Sequence, residues 1–136
     1  MAVRRVDIVS EFKTEYARVK DWLKTALHTQ IGGGDENKLL SGLGTQRYQL
    51  WTSENAACVT ELCKVDGVDV CLLYLVAGER GSALAEVLGD GQNTIEKWAK
   101  ENGCKGFYGI GRPEWKRVLK PHDFKVASVN YYKEFS

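Results

Sequence analysis

The sequence predicts an α/β chain of the mixed, α+β kind. Its sheet is an antiparallel meander plus one parallel crossover, and helices lie on both faces. Three observations predict this. The most apolar run, residues 70–76, is short, rich in β-formers and bounded by turn residues, which suits a strand buried on both faces. Gly78 and Gly81 break that run, a helical pattern follows up to Gly103, and a second apolar run spans residues 104–110. Strand, helix and strand in that order read as a crossover between parallel strands. Upstream, period-two alternation meets Asp66-Gly67, a two-residue hairpin signal.

The elements follow in order. Residues 3–9 (VRRVDIV) read as a short edge strand and residues 14–28 as an amphipathic helix, with Tyr16, Val19, Leu23 and Leu27 at three- and four-residue steps, widened by Trp22 and Ala26. The run Gly32-Gly33-Gly34 ends that segment. Asp35 is an N-cap for a second helix through Leu43, with Leu39, Leu40 and Leu43 inward. Residues 48–52, 56–65 and 68–77 are the meander. The crossover reads as two helical pieces: residues 82–88, and a second that starts at Asn93 or Thr94, with Gly89-Asp90-Gly91 interrupting between them. Pro113 suits the first position of a short helix over residues 114–119. Residues 124–135 (FKVASVNYYKEF) read as a long final strand.

With 136 residues the chain fits one domain, 1–136, long enough to bury a core. Its 43% hydrophobic and 27% charged residues are ordinary for a globular domain. A net charge of +1 supplies no strong field toward nucleic acid or membrane. No apolar run approaches the roughly 20 residues of a membrane span, and charges within residues 1–12 argue against a secretory signal. The expected setting is a cytoplasm or a particle assembled there. Cys58, Cys63, Cys71 and Cys104 include no CxxC pair, and His28 lies far from His122, so no metal site is expected. The four thiols are expected to be reduced and mostly buried. Trp22, Trp51, Trp98, Trp115 and Tyr74 sit on patterned elements and read as core. Arg112, Lys116, Arg117, Lys120 and Lys125 read as a solvated basic face. Tyr131-Tyr132 puts one ring on each side of its strand, and an exposed ring there would suit a protein interface.

The order of elements resembles the Gcn5-related N-acetyltransferase (GNAT) superfamily over nearly the whole chain. The segment IEKWAKENGCKGFYGIGRPEWKRVLKPHDFK resembles the second half of a GNAT domain. Together, QLW, AACVTEL, YLVAG, IEKWAKENGC and GRPEWKRVLK also resemble small GNAT-like proteins encoded near structural genes of tailed bacteriophages.

The resemblance implies a loop of pattern Arg/Gln-x-x-Gly-x-Gly/Ala after the buried strand, whose backbone N–H groups hold the pyrophosphate of acetyl-CoA. The residues at the corresponding places are Gly78, Arg80, Gly81, Ser82 and Ala83, of which Gly81 and Ala83 match the pattern. Gly78 stands where Arg or Gln is expected, and Glu79 adds a carboxylate beside the phosphates. A plain strand-to-helix turn is the other reading of the same residues. The resemblance also implies a tyrosine acid near the end of the short helix, four residues before a Gly-Phe pair. Here Leu119 and Asp123-Phe124 take those places, leaving Tyr108 as the substitute acid, with Glu61 as a base toward an amine. A solvent-facing strand residue is the other reading of Glu61.

Two functions follow. One is a non-catalytic GNAT-like structural or assembly protein, a phage virion component that needs no cofactor and acts through contacts with other proteins of an assembly or with itself, in the virion or host cytoplasm. The alternative is an acetyl-CoA-dependent N-acetyltransferase with a degenerate cofactor loop.

Overall fold

The computed structural model of the chain describes residues 3–79, 85–111 and 115–136. Strand β1 (Arg4–Arg5) leads to helix α1 (Phe12–Leu27), a short 3-10 turn (Ile31–Gly33) and helix α2 (Glu36–Gly44). The meander is β2 (Tyr48–Thr52), β3 (Ala56–Val65) and β4 (Val68–Gly78). A π-helical segment (Ala85–Asp90) runs into α3 (Gly91–Glu101), followed by β5 (Gly106–Gly109) and α4 (Trp115–Leu119). The five strands form one sheet in the order β1-β2-β3-β4-β5, antiparallel except for the parallel pair β4–β5. The predicted mixed α+β sheet is the observed one.

Local chemistry explains the elements. In α1 the expected stripe Tyr16, Val19, Leu23 and Leu27 is the buried face. Asp35 Oδ1 accepts the backbone N–H of Asn37 at 2.9 Å and of Lys38 at 3.4 Å, capping α2 as expected. Asp66 and Gly67 have φ of +50° and +83°, both positive, as a type I′ hairpin requires. One face of the sheet packs Tyr48, Leu50, Ala57, Val59 and Leu75 against α1 and α2. The other packs Trp51, Cys58, Cys71 and Leu73 against Val87, Leu88, Ile95 and Ala99 of the crossover. Helices thus cover both faces, and each fully buried leucine or isoleucine contributes about 2 kcal/mol.

Four expectations change. The strand over residues 3–9 shrinks to two residues, because Asp7 Oδ1 accepts the N–H of Val9 (2.8 Å) and Ser10 (3.0 Å) and curls the chain into a turn. The Gly89-Asp90-Gly91 interruption is absent: the π-helical segment continues directly into α3. Glycine weakens a helix by about 1 kcal/mol, and burial of Val87, Leu88 and Ile95 on either side outweighs that. The strand over residues 104–110 is trimmed to β5. Residues 124–135 form no strand at all, and residues 125–136 are all exposed. Alternation marks a segment fit for pairing, but pairing also needs an edge within reach.

Two of the expectations for single side chains are also adjusted. Cys58 and Cys71 are buried, whereas Cys63 and Cys104 are only half-buried. Trp51 is buried, and Trp22 and Trp98 pack as partly buried members of the two cores. The expected solvated basic face holds for Lys116, Arg117, Lys120 and Lys125, all exposed; Arg112 and Pro113 lie outside the described residues.

Candidate active site

The sheet is interrupted on β4. Along the β3–β4 ladder Val59 pairs with Leu75 and Thr60 with Leu73, so Tyr74 is an extra residue. Leu73 belongs to the α3-side core, while Tyr74 and Leu75 both face α1 and α2. Two successive side chains on one face are the mark of a β-bulge, which bends and twists the strand.

At the same point β4 loses its other neighbour. The parallel pairing runs from Val70↔Gly106 to Leu73↔Gly109. Beyond it, β4 continues to Gly78 with no partner on that side among the described residues, and Ile110 is 67% exposed. Two parallel strands therefore part at their carboxyl ends, where open α/β sheets hold ligands. The backbone groups of Tyr74 to Gly78 that would face β5 line one wall of the parting.

The end of β4 is fixed to the turn between β2 and β3. Glu79 N–H donates to the Asn55 carbonyl at 2.8 Å. The Glu86 carboxylate accepts the Asn55 N–H at 3.1 Å and the Ser53 hydroxyl. Arg18 reaches the same turn from α1, donating to the carbonyls of Ser53 (2.8 Å) and Glu54 (3.0 Å). Both ends of residues 79–86 thus rest on one three-residue turn. Burial pushes the Glu86 carboxyl up, but the Ser53 hydroxyl and the Asn55 N–H donate to its charged form and leave it below the ordinary value. Gly78 has a packing reason. A Cβ there would run into the Asn55 carbonyl and lie 2.7 Å from Ala56 Cα, so neither Arg nor Gln fits.

The other site residues fall on one row. Tyr48 pairs with Glu61, Glu61 with Leu72, and Leu72 with Tyr108. These four residues cross β2 to β5 on the α1/α2 face. Glu61 and Tyr108 are two strands apart, about 10 Å at ordinary strand spacing. Glu61 accepts from Arg47 Nε at 2.7 Å, and Tyr108 Oη lies 3.4 Å from Ser128 Oγ. Beside the row the bulged Tyr74 stacks on Tyr48, centroids 4.9 Å apart, and its hydroxyl donates to Gln30 Oε1 at 3.4 Å in the loop between α1 and α2.

Glu79, the carboxylate expected beside the phosphates, is exposed. Arg80, Gly81, Ser82 and Ala83 lie outside the described residues. Leu119 packs into the α3-side core with Phe107 and Phe124. Asp123, where a glycine was expected, adopts φ +65°, a left-handed conformation that Asp tolerates. Sequence reasoning missed Tyr74 and Glu86. An extra residue between two in-phase strands leaves no compositional mark, and the partners of Glu86 are some thirty residues away.

No thiol is poised as a nucleophile. Burial pushes Cys71 up to about 12, and burial raises Cys58, Cys63 and Cys104 as well. Among the described residues no group of three metal-ligating side chains converges, and no helix is long and apolar enough to cross a membrane. Two clefts of about 330 and 270 Å3 lie apart from the strand parting, one along Arg5–Val9 and β2, the other around Cys63 and Cys104.

No family model and no curated protein matches the chain. Solved structures do, over nearly its full length. The aminoglycoside N-acetyltransferase AAC(6')-Iy in complex with CoA is 14% identical with a TM-score of 0.66, covering 97% of this chain and 93% of its own. Glucosamine-6-phosphate N-acetyltransferase from Arabidopsis thaliana is 11% identical with a TM-score of 0.62, covering 98% and 97%. The fold is GNAT-like. An aminoglycoside acetyltransferase from an uncultured soil metagenomic sample, in complex with sisomicin, is 10% identical with a TM-score of 0.64, covering 98% and 95%. At these identities the likeness to GNAT enzymes is one of fold, and fold alone does not carry function.

Proposed function

We propose that this GNAT-like chain is an N-acyltransferase that moves the acetyl group of acetyl-CoA to an amine at the parting of β4 and β5. The observation that carries the reading is the β5 side of Tyr74 to Gly78, which has no ladder partner among the described residues. The pantetheine arm of CoA contains two amide groups, and an unpaired strand edge accepts amides as it would another strand. That edge fits the arm. The amine nitrogen would bond to the acyl carbon as the carbon–sulfur bond breaks. Tyr108 Oη would hand its proton to the departing thiolate, and Glu61, oriented by Arg47, would take the proton the amine loses.

The absence of Arg or Gln at position 78 does not weigh against this reading, because the Asn55 carbonyl leaves no room for a side chain there. The missing phenol at Leu119 is met by Tyr108.

Titrating acetyl-CoA into the protein in a calorimeter, followed by thiol release assays with an amino-sugar, aminoglycoside and peptide-amine panel, tests the proposal. Saturable binding and thiol release with one acceptor class support it; no heat at millimolar acetyl-CoA overturns it. A second proposal, the non-catalytic assembly protein of a phage particle, draws its support from five exposed large apolar side chains in residues 125–136. The same calorimetry separates the two.

A further inference from the structure

The acyltransferase proposal brings the amine to Glu61 on the α1/α2 face of the sheet, and the chemistry of that face selects among amines. The Leu72↔Tyr108 pair is the last but one before β4 and β5 part. Leu72, Tyr108 and the bulged Tyr74 are half-buried, so an apolar and phenolic shelf adjoins both Glu61 and the parting. The shelf carries little charge. Among the described strand residues, the registers leave Glu61 as the one carboxylate on this face. Arg47 already compensates it, donating from Nε to Glu61 Oε2 at 2.7 Å with the guanidinium carbon 5.6 Å from the Tyr48 ring centroid. The carboxylates of the covering helices are engaged elsewhere. Glu15 pairs with Arg18 at 3.1 Å, Asp35 caps α2, and Glu36 accepts from Tyr16 Oη at 2.8 Å. Asp21 is exposed, two residues and so about 200° around α1 from the buried Val19. By sequence, the residues outside the described ranges add one carboxylate, Glu114, against Arg80 and Arg112.

We propose that the acceptor is an arylalkylamine, one amine on a flat aromatic body, and that Arg47 and Leu72 together exclude polycationic acceptors. The inference rests on the acyltransferase reading and names its substrate class. The acceptor ring lies on Leu72 against the phenol rings, where aromatic groups gain from offset or edge contacts. Its single amine reaches Glu61. A second ammonium has no carboxylate to meet: over Leu72 it loses water without a counter-charge, and beside Glu61 it faces the Arg47 guanidinium. A site that leaves the extra charges of a wrong substrate unpaired discriminates against that substrate. A polar amino-sugar fits poorly for a related reason, because its hydroxyls find few partners on an apolar shelf.

The test is steady-state thiol release by the full chain at saturating acetyl-CoA, with 2-phenylethylamine, glucosamine, spermidine and kanamycin as acceptors. The kcat/KM for 2-phenylethylamine is expected to exceed each of the others by at least about tenfold, the discrimination that one mismatched contact gives. In Arg47→Ala the ratio of 2-phenylethylamine to spermidine is expected to fall about tenfold, because Glu61 then faces the acceptor with its charge uncompensated. In Arg47→Lys, which keeps the positive charge, the parent ratio is expected to return. A ratio cancels any loss of rate common to both acceptors, and the Arg47 side chain is 63% exposed, so the fold, checked by circular dichroism, is expected to persist. Equal or better use of spermidine, kanamycin or glucosamine, a ratio unmoved in Arg47→Ala, or acetyl-CoA binding without release to any of the four would overturn the acceptor class alone. Neither acetyl-CoA binding nor thiol release would overturn the acyltransferase reading and the acceptor class with it.

Discussion

The Glu86 carboxylate accepts the backbone N–H of Asn55 at 3.1 Å, tying the first turn of the crossover to the turn between β2 and β3. With the Glu79 N–H on the Asn55 carbonyl, both sides of one peptide unit's neighbourhood hold the two ends of residues 79–86. Replacing Glu86 by Ala removes the acceptor for both Asn55 and Ser53. The expected loss is about 1 kcal/mol, the net worth of such bonds at a part-exposed site, and a fall in Tm of about 3–6 °C. Thermal unfolding followed by circular dichroism measures it. An unchanged Tm would mean that the anchor is not made in solution.

Acid should weaken the fold through the same carboxylate and through Glu15. Glu15 is held below the ordinary value of 4.5 first by Arg18, and then by the Thr52 hydroxyl against some desolvation. Glu86 is depressed as well. A depressed carboxyl contributes stability that is complete above its unfolded value and fades as pH falls through the lower folded value. Urea unfolding midpoints should therefore hold steady from neutral pH to about 5 and drop below about 4.5. In Glu86→Ala that acid drop should be shallower. A drop of equal depth in the variant would remove Glu86 from the account.

Gly78→Arg tests the packing account of the loop. The new Cβ meets the Asn55 carbonyl, backbone that cannot swing away, at φ +153°. The substitution is expected to cost at least about 2 kcal/mol, the scale of a steric conflict at a special backbone position, and to give no gain in acetyl-CoA binding. Chemical denaturation and calorimetry read the two effects separately. Tighter binding at unchanged stability would show that position 78 has room for a side chain.

Tyr108 and Glu61 are the residues to vary for chemistry. On the proposed reading, Tyr108→Phe should lower kcat about 100-fold with little change in KM for acetyl-CoA, the loss expected of a positioned acid. Among the described residues its hydroxyl makes one contact, 3.4 Å from Ser128 Oγ, so folding should be unaffected. Glu61→Gln should likewise lower kcat, the loss expected when a positioned base is removed. Wild-type kcat in both variants would assign the chemistry elsewhere.

Much of the site was legible one residue at a time. Glu61 and Tyr108 could be picked as titratable groups on strands, yet nothing in their spacing says that Leu72 joins them in one row; that follows from the registers of two strand pairs. The loop mismatch at Gly78 reads as degeneracy in sequence and as a steric requirement in the fold. Tyr74 reads as one more core aromatic, and only the slip from Val59↔Leu75 to Thr60↔Leu73 makes it the bulge.

The sequence by itself determined the elements whose causes are local. These are the α1 stripe, set by helical periodicity; the Asp35 cap, set by a carboxylate two residues before an N–H; and the Asp66-Gly67 hairpin, set by two residues that tolerate positive φ. Tertiary structure alone decided where β4 and β5 part, which turn anchors Glu86, and that residues 124–135 leave the sheet. Each depends on a partner distant in the chain. Alternation or charge marks a residue as able to bond, while the fold settles whether a backbone edge, an N–H or a second strand is there to meet it.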